Sequence, residues 1–140
     1  MQLTLESGRS IQNPNTSEIQ TALAAHSSSG GGLAILSKDK QTYMQASGDA
    51  KSGFRIEYQD GDTDQHFVGS RSTIPLEELI RAFQSYAVSD EKWRTMFEWT
   101  KLDEADFRRT RGCLSSAAAI GMAFAAGTVA LCMMISLSWR

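Results

Sequence analysis

The sequence predicts an α+β fold: an antiparallel sheet of about five strands with two or three helices packed on it, followed by one C-terminal transmembrane helix. Three observations carry this expectation. Phe54, Ile56 and Tyr58 alternate with Arg55, Glu57 and Gln59, the period of a half-buried strand. Leu76, Leu79, Ile80, Phe83, Tyr86 and Ala87 recur at helical spacing. From Gly112 to Trp139 the chain carries no charge, and Arg108, Arg109 and Arg111 stand directly before that run. The implied division is a head over residues 1–100, a charged juxtamembrane connector over 101–112 and a membrane span over 113–138.

Within the head, Leu3 and Leu5 alternate with polar neighbours in a first strand that stops at Ser7-Gly8, with a short return through Ile11. Asn15 and Glu18 have the spacing of a capping box, and Ile19, Ala22 and Leu23 then share a helical face up to about His26. Ser27–Gly32, three serines and three glycines, follows a helix and opens a strand. A phosphate loop has the reverse order and a lysine beside it, so the segment reads as a flexible connector. Leu33–Ser37 and Thr42–Ser47 form a hairpin across Lys38-Asp39-Lys40. The Phe54 strand meets a partner at about Gln65–Val68 beyond Asp60-Gly61. Pro75 opens the second helix, on which Glu77 is spaced to pair with Arg81. Ser89 is placed to cap a short third helix carrying Trp93, Met96 and Phe97, and Trp99 closes the apolar pattern.

As a helix, Leu114–Leu137 would reach about 36 Å, against about 30 Å of hydrocarbon. A helix apolar on every side needs protein or lipid all round, and a head of this size cannot wrap it. Ala117, Gly121 and Ala125 recur every fourth residue, a small-residue face through which a homodimer or a larger membrane complex could assemble. The arginine collar and the interfacial Trp139 complete the anchor. No basic, apolar leader opens the chain, and the collar precedes the span, so the expected arrangement is a single-pass, tail-anchored protein with a cytoplasmic head.

All 16 acidic residues precede Arg108 together with 10 of the 14 basic ones, which leaves residues 1–107, the head with the start of its connector, formally at −6. Such a head disfavours nucleic acid and favours a basic protein partner. Cys113 and Cys132 both lie in the apolar run, so the head holds neither a disulfide nor a thiolate metal site. Asp60, Asp62 and Asp64 alternate ahead of His66, the one grouping that resembles a ligand set for a hard cation. A helix-flanked calcium loop, however, would need Gly and Glu where Gln65 and Arg71 stand. His26 reads as a solvated helix end and His66 as a sheet residue. No nucleophile elbow or zinc-hydrolase motif occurs, and no cofactor is implied. Candidate partner-binding residues are Glu57, Asp60, Asp62, Asp64 and Trp99; the candidate anchor comprises Arg108, Arg109, Arg111, Gly121, Ala125 and Trp139.

The order strand, helix, hairpin, hairpin, helix, with Tyr58-Gln59-Asp60-Gly61, Ala82-Phe83, Tyr86, Trp93 and the closing Phe97-Glu98-Trp99, resembles small bacterial proteins related to the immunity proteins of polymorphic toxin systems. The likeness covers residues 1–100. It implies a non-enzymatic α+β domain that binds a protein, sometimes through an acidic face set against a basic toxin. The C-terminal span departs from the usual soluble form. The functional expectation is therefore a membrane-anchored protein-binding module, immunity-like in its inhibition of a basic partner. The alternatives are a subunit of a membrane complex assembled through its span, and a metal-dependent enzyme using Asp60–His66.

Overall fold

A computed structural model describes residues 1–102. They form seven strands and three α-helices, in the order β1 (Gln2–Leu5), β2 (Ser10–Gln12), α1 (Thr16–Ser28), β3 (Gly32–Ser37), β4 (Thr42–Asp49), β5 (Gly53–Asp60), β6 (His66–Gly69), α2 (Leu76–Val88), α3 (Trp93–Met96) and β7 (Trp99–Lys101). One antiparallel sheet takes all the strands in the order β2-β1-β3-β4-β5-β6-β7. The α+β class and the antiparallel sheet are as expected. The strand count rises from about five to seven because three-residue pieces close both edges.

The period-2 pattern decides which face is buried. Leu3, Leu5, Ala34, Leu36, Met44, Ala46, Phe54, Ile56 and Tyr58 join a single core with Ile19, Ala22 and Leu23 of α1 and Leu79, Ala82, Phe83 and Tyr86 of α2. Both long helices therefore cover the same side of the sheet, and the intervening strand residues line the other side. α1 begins at the expected capping box: Asn15 Oδ1 accepts from Glu18 N, and Glu18 Oε2 accepts from Asn15 N, each at 2.9 Å. α2 lies beside α1, where Gln84 Nε2 donates to Thr16 O at 2.9 Å.

Several local expectations need correction. The glycine run is a close-packed junction and not a flexible connector: Gly31 N donates to His26 O at 2.9 Å, and a Cβ on Gly31 would lie 2.1 Å from Gly48 O. Only a residue without a side chain admits that backbone approach. Ser89 does not cap the third helix. It ends α2 in the left-handed conformation, φ 56°, with its N–H donating back to Ser85 O and Tyr86 O. The ion pair on α2 joins Glu78 to Arg71 of the preceding loop. Pairing also continues past the expected boundary at residue 100: Lys101 sits opposite Phe67, and Leu102 N donates to His66 O at 2.9 Å.

Among the described residues no helix is long and apolar enough to cross a membrane. The apolar run lies outside them, as do Arg108, Arg109, Arg111, Gly121, Ala125 and Trp139.

Candidate functional site

The Asp60–His66 segment is not one strand. β5 ends at Asp60, a single 3-10 turn occupies Thr63–Gln65, and β6 starts at His66. Asp62 caps that turn, its Oδ1 accepting from Asp64 N at 3.4 Å and Thr63 Oγ1 at 3.2 Å. Because His66 is in register with Gln59, it lies on the side of the sheet opposite the one reached by Tyr58 and Asp60. The alternating ligand row is thereby taken apart, and among the described residues no three His, Cys, Asp or Glu side chains are grouped to hold a metal ion.

Two polar clusters result. The first is on the sheet side away from the helices. Glu57 Oε2 accepts from Gln45 Nε2 at 2.8 Å and faces His66 Nε2 at 3.1 Å, while Arg55 Nε stands 3.0 Å from Oε1. An ionised carboxylate can only accept, which places a proton on His66 Nε2. Beside this group, Tyr43 donates to Gln59 Oε1 at 3.1 Å, Gln59 Nε2 donates to Gln41 Oε1 at 2.9 Å, and the Tyr43 and His66 rings meet edge-on at 6.2 Å. The Glu57 side chain is 17% exposed and that of His66 8%. Burial pushes the Glu57 carboxyl up, but hydrogen bonds from His66 and Gln45 and the charge of Arg55 outweigh it and hold the group below the ordinary carboxylate range. Burial, reinforced by the Glu57 charge, pushes the Tyr43 phenol up.

The second cluster sits at the end of the sheet where β5 turns into β6. Arg94 of α3 extends over the Trp93 ring, 4.3 Å from its centroid, and reaches the Tyr58 ring at 5.3 Å. Its Nη2 donates to Asp60 Oδ2 at 2.9 Å, and its Nε donates to Glu91 Oε2. Beneath lies an aromatic floor. Tyr58 stacks on Phe67 at 4.8 Å and meets Trp93 and Trp99 edge-on at 4.8 and 4.7 Å, and Tyr86 meets Trp93 at 5.4 Å. Trp99 Nε1 donates to the Arg94 carbonyl at 3.0 Å, and Ser85 Oγ accepts from Trp93 N at 2.9 Å, so the first turn of α3 is tied down from two sides. Arg94 is 38% exposed, Asp60 49% and Glu91 53%. Desolvation works against the guanidinium charge, but the two carboxylates prevail and raise its pKa.

The structure thus brings Asp60 and Trp99 together around Arg94 and leaves Asp62 and Asp64 exposed on the adjoining turn. Glu57 is placed on the other side of the sheet. Arg94 was missed in the sequence because its partner Asp60 lies 34 residues away. The aromatic concentration at Trp93 and Phe97 was the one signal that marked its neighbourhood.

A separate groove of about 590 Å³ runs along α2, lined by Arg81, Gln84, Val88, Lys92 and Met96 among others, with no histidine or cysteine on its walls. No family model, curated protein or solved structure matches the chain.

Proposed function

We propose that the chain is a non-enzymatic, membrane-anchored protein-binding module that engages a basic protein partner, as the resemblance to immunity proteins implies, with the acidic Asp60–Asp64 end as its contact surface. The observation that carries the reading is the placement of exposed Asp60, Asp62, Asp64 and Glu91 around one end of the sheet above a rigid aromatic floor. Carboxylates at a rim raise the encounter rate of a cationic partner, and fixed aromatic rings supply contact area at small entropic cost. The uncharged run behind the arginine collar supplies the anchor, and the collar's position favours a cytoplasmic head.

The Glu57–His66 pair has the composition of an acid–base dyad but not its setting. Both groups are largely enclosed and already hydrogen-bonded, whereas a catalytic pair opens into a concave site where substrate can reach it. The groove along α2 offers hydroxyls, carboxylates and the Lys92 amine, with no imidazole or thiol among its described lining residues.

Cross-linking in intact cells, followed by alkaline carbonate washing of the membranes and identification of the captured neighbour, tests the proposal. The chain should stay in the membrane pellet joined to one dominant basic protein, and the triple substitution Asp60→Asn, Asp62→Asn, Asp64→Asn should reduce capture about tenfold. Capture of the same neighbour at undiminished yield by the triple variant would sink the assignment of the surface. Release of the chain by carbonate would sink the anchor.

A further inference from the structure

The cage around Arg94 holds every element that recognises a planar cation. One indole face lies 4.3 Å from the guanidinium carbon, a phenol ring lies at 5.3 Å, and two carboxylates bind Nη2 and Nε. We infer that this cage is an arginine-recognition site, filled in the free chain by its own Arg94 and taken over by an arginine side chain of the partner. The inference rests on the protein-binding reading above and specifies its chemistry.

Three features support exchange over a purely structural pair. The ion pairs to Asp60 and Glu91 are exposed, and such pairs contribute about 0–1 kcal/mol each, little enough for an incoming guanidinium to replace. The floor does not depend on the cation. Trp93 is 1% exposed, its backbone N–H is held by Ser85 Oγ, and the Arg94 backbone is fixed through Trp99 Nε1 and the bond from Arg94 N to Glu91 O at 3.1 Å. Departure of Arg94 therefore requires side-chain rotation alone and leaves the aromatic face in place.

The third feature is unused capacity. Arg94 engages one oxygen of each carboxylate, so Asp60 Oδ1 and Glu91 Oε1 remain as acceptors beside it. Tyr86, 2% exposed, stands edge-on to Trp93 at 5.4 Å with Lys38 Nζ 4.7 Å over its ring, and its hydroxyl has no hydrogen-bond partner among the described residues. A buried phenol left unsatisfied one ring away from the guanidinium is a polar atom awaiting a partner. Lysine fits less well, because an ammonium can neither stack flat on the indole nor span two carboxylates as a fork.

The test uses the full chain in detergent micelles, titrated with tri-arginine amide and with tri-lysine amide and followed by indole fluorescence, with near-UV dichroism to verify the fold of each variant. Arg94→Ala should bind tri-arginine about tenfold more tightly than the unsubstituted chain, while tri-lysine gains about twofold or less. Arg94→Gln, which keeps most of the stem packed on Trp93, should behave alike, and adding Asp60→Asn should abolish the gain. An equal gain for both peptides would mean that only net charge had changed, and no gain for tri-arginine would mean that the cage does not accept it. Either result overturns the inference. If the preference for arginine fails while cellular capture of a basic partner persists, the cage falls and the protein-binding reading stands. If the preference holds while no partner is captured, the reading of the function falls instead.

Discussion

Glu57 and Arg94 are each centres of a charged cluster beside an aromatic ring, built from similar chemical groups on two sides of the same sheet. Around Glu57 the side chains come from adjacent strands β4, β5 and β6 and their bonds interlock; water reaches the Arg55 guanidinium but has little access to Glu57 and His66. Around Arg94 they come from a strand end, a loop and a short helix, and water reaches every charged member. Removing a partner from an enclosed network strands the others without solvation, whereas an exposed pair that loses a partner is rehydrated. The first cluster is accordingly a fastening and the second a surface open to exchange.

The largest break in this contrast should come from Glu57→Ala. It leaves Gln45 and His66 facing a void, while the part-exposed Arg55 is rehydrated, and should lower unfolding free energy by about 2–3 kcal/mol in urea titration. A loss under about 0.5 kcal/mol would place both clusters in the same class.

Acid sharpens the comparison next. The folded-state pKa of Glu57 is depressed, so its contribution is fully present above the unfolded carboxylate value and is lost as pH falls through the depressed one. Stability of the unsubstituted chain minus that of Glu57→Gln should therefore shrink as pH drops below about 4.3, the unfolded glutamate value. A difference that stays flat from pH 6 to pH 2.5 would show that the enclosed carboxylate gains nothing from its neighbours. The smallest effect belongs to Arg94→Ala, expected to cost about 1 kcal/mol or less, with the ion-pair part of that loss diminishing in 1 M salt.

The helices and the central hairpins were legible because their signals are local. Asn15 and Glu18 are three residues apart, Phe54, Ile56 and Tyr58 show their period directly, and the apolar stripe from Leu76 to Ala87 needs no knowledge of what it packs against. β7 was not legible. Trp99-Thr100-Lys101 is too short to display alternation, and it pairs with a strand some thirty residues earlier in the chain. The aspartate row misled for a related reason: one turn within it reverses the chain and sends His66 to the far side from Asp60. Glu57 and Trp99 were singled out as candidates, but their partners, Gln45, His66 and Arg94, follow from register and helix placement that no local pattern displays. The glycines at 30–32 looked like slack because a sequence does not reveal that Gly48 presses against Gly31 and the Glu6 side chain against Gly32.

Among the described residues the sheet terminates at β2 on one border and β7 on the other, each three residues long. Fibril growth by strand addition draws on ordered segments of about six or seven residues. Either border offers an approaching chain about half that length of backbone to template on, so dense packing of many copies should produce neighbours that jostle without polymerising.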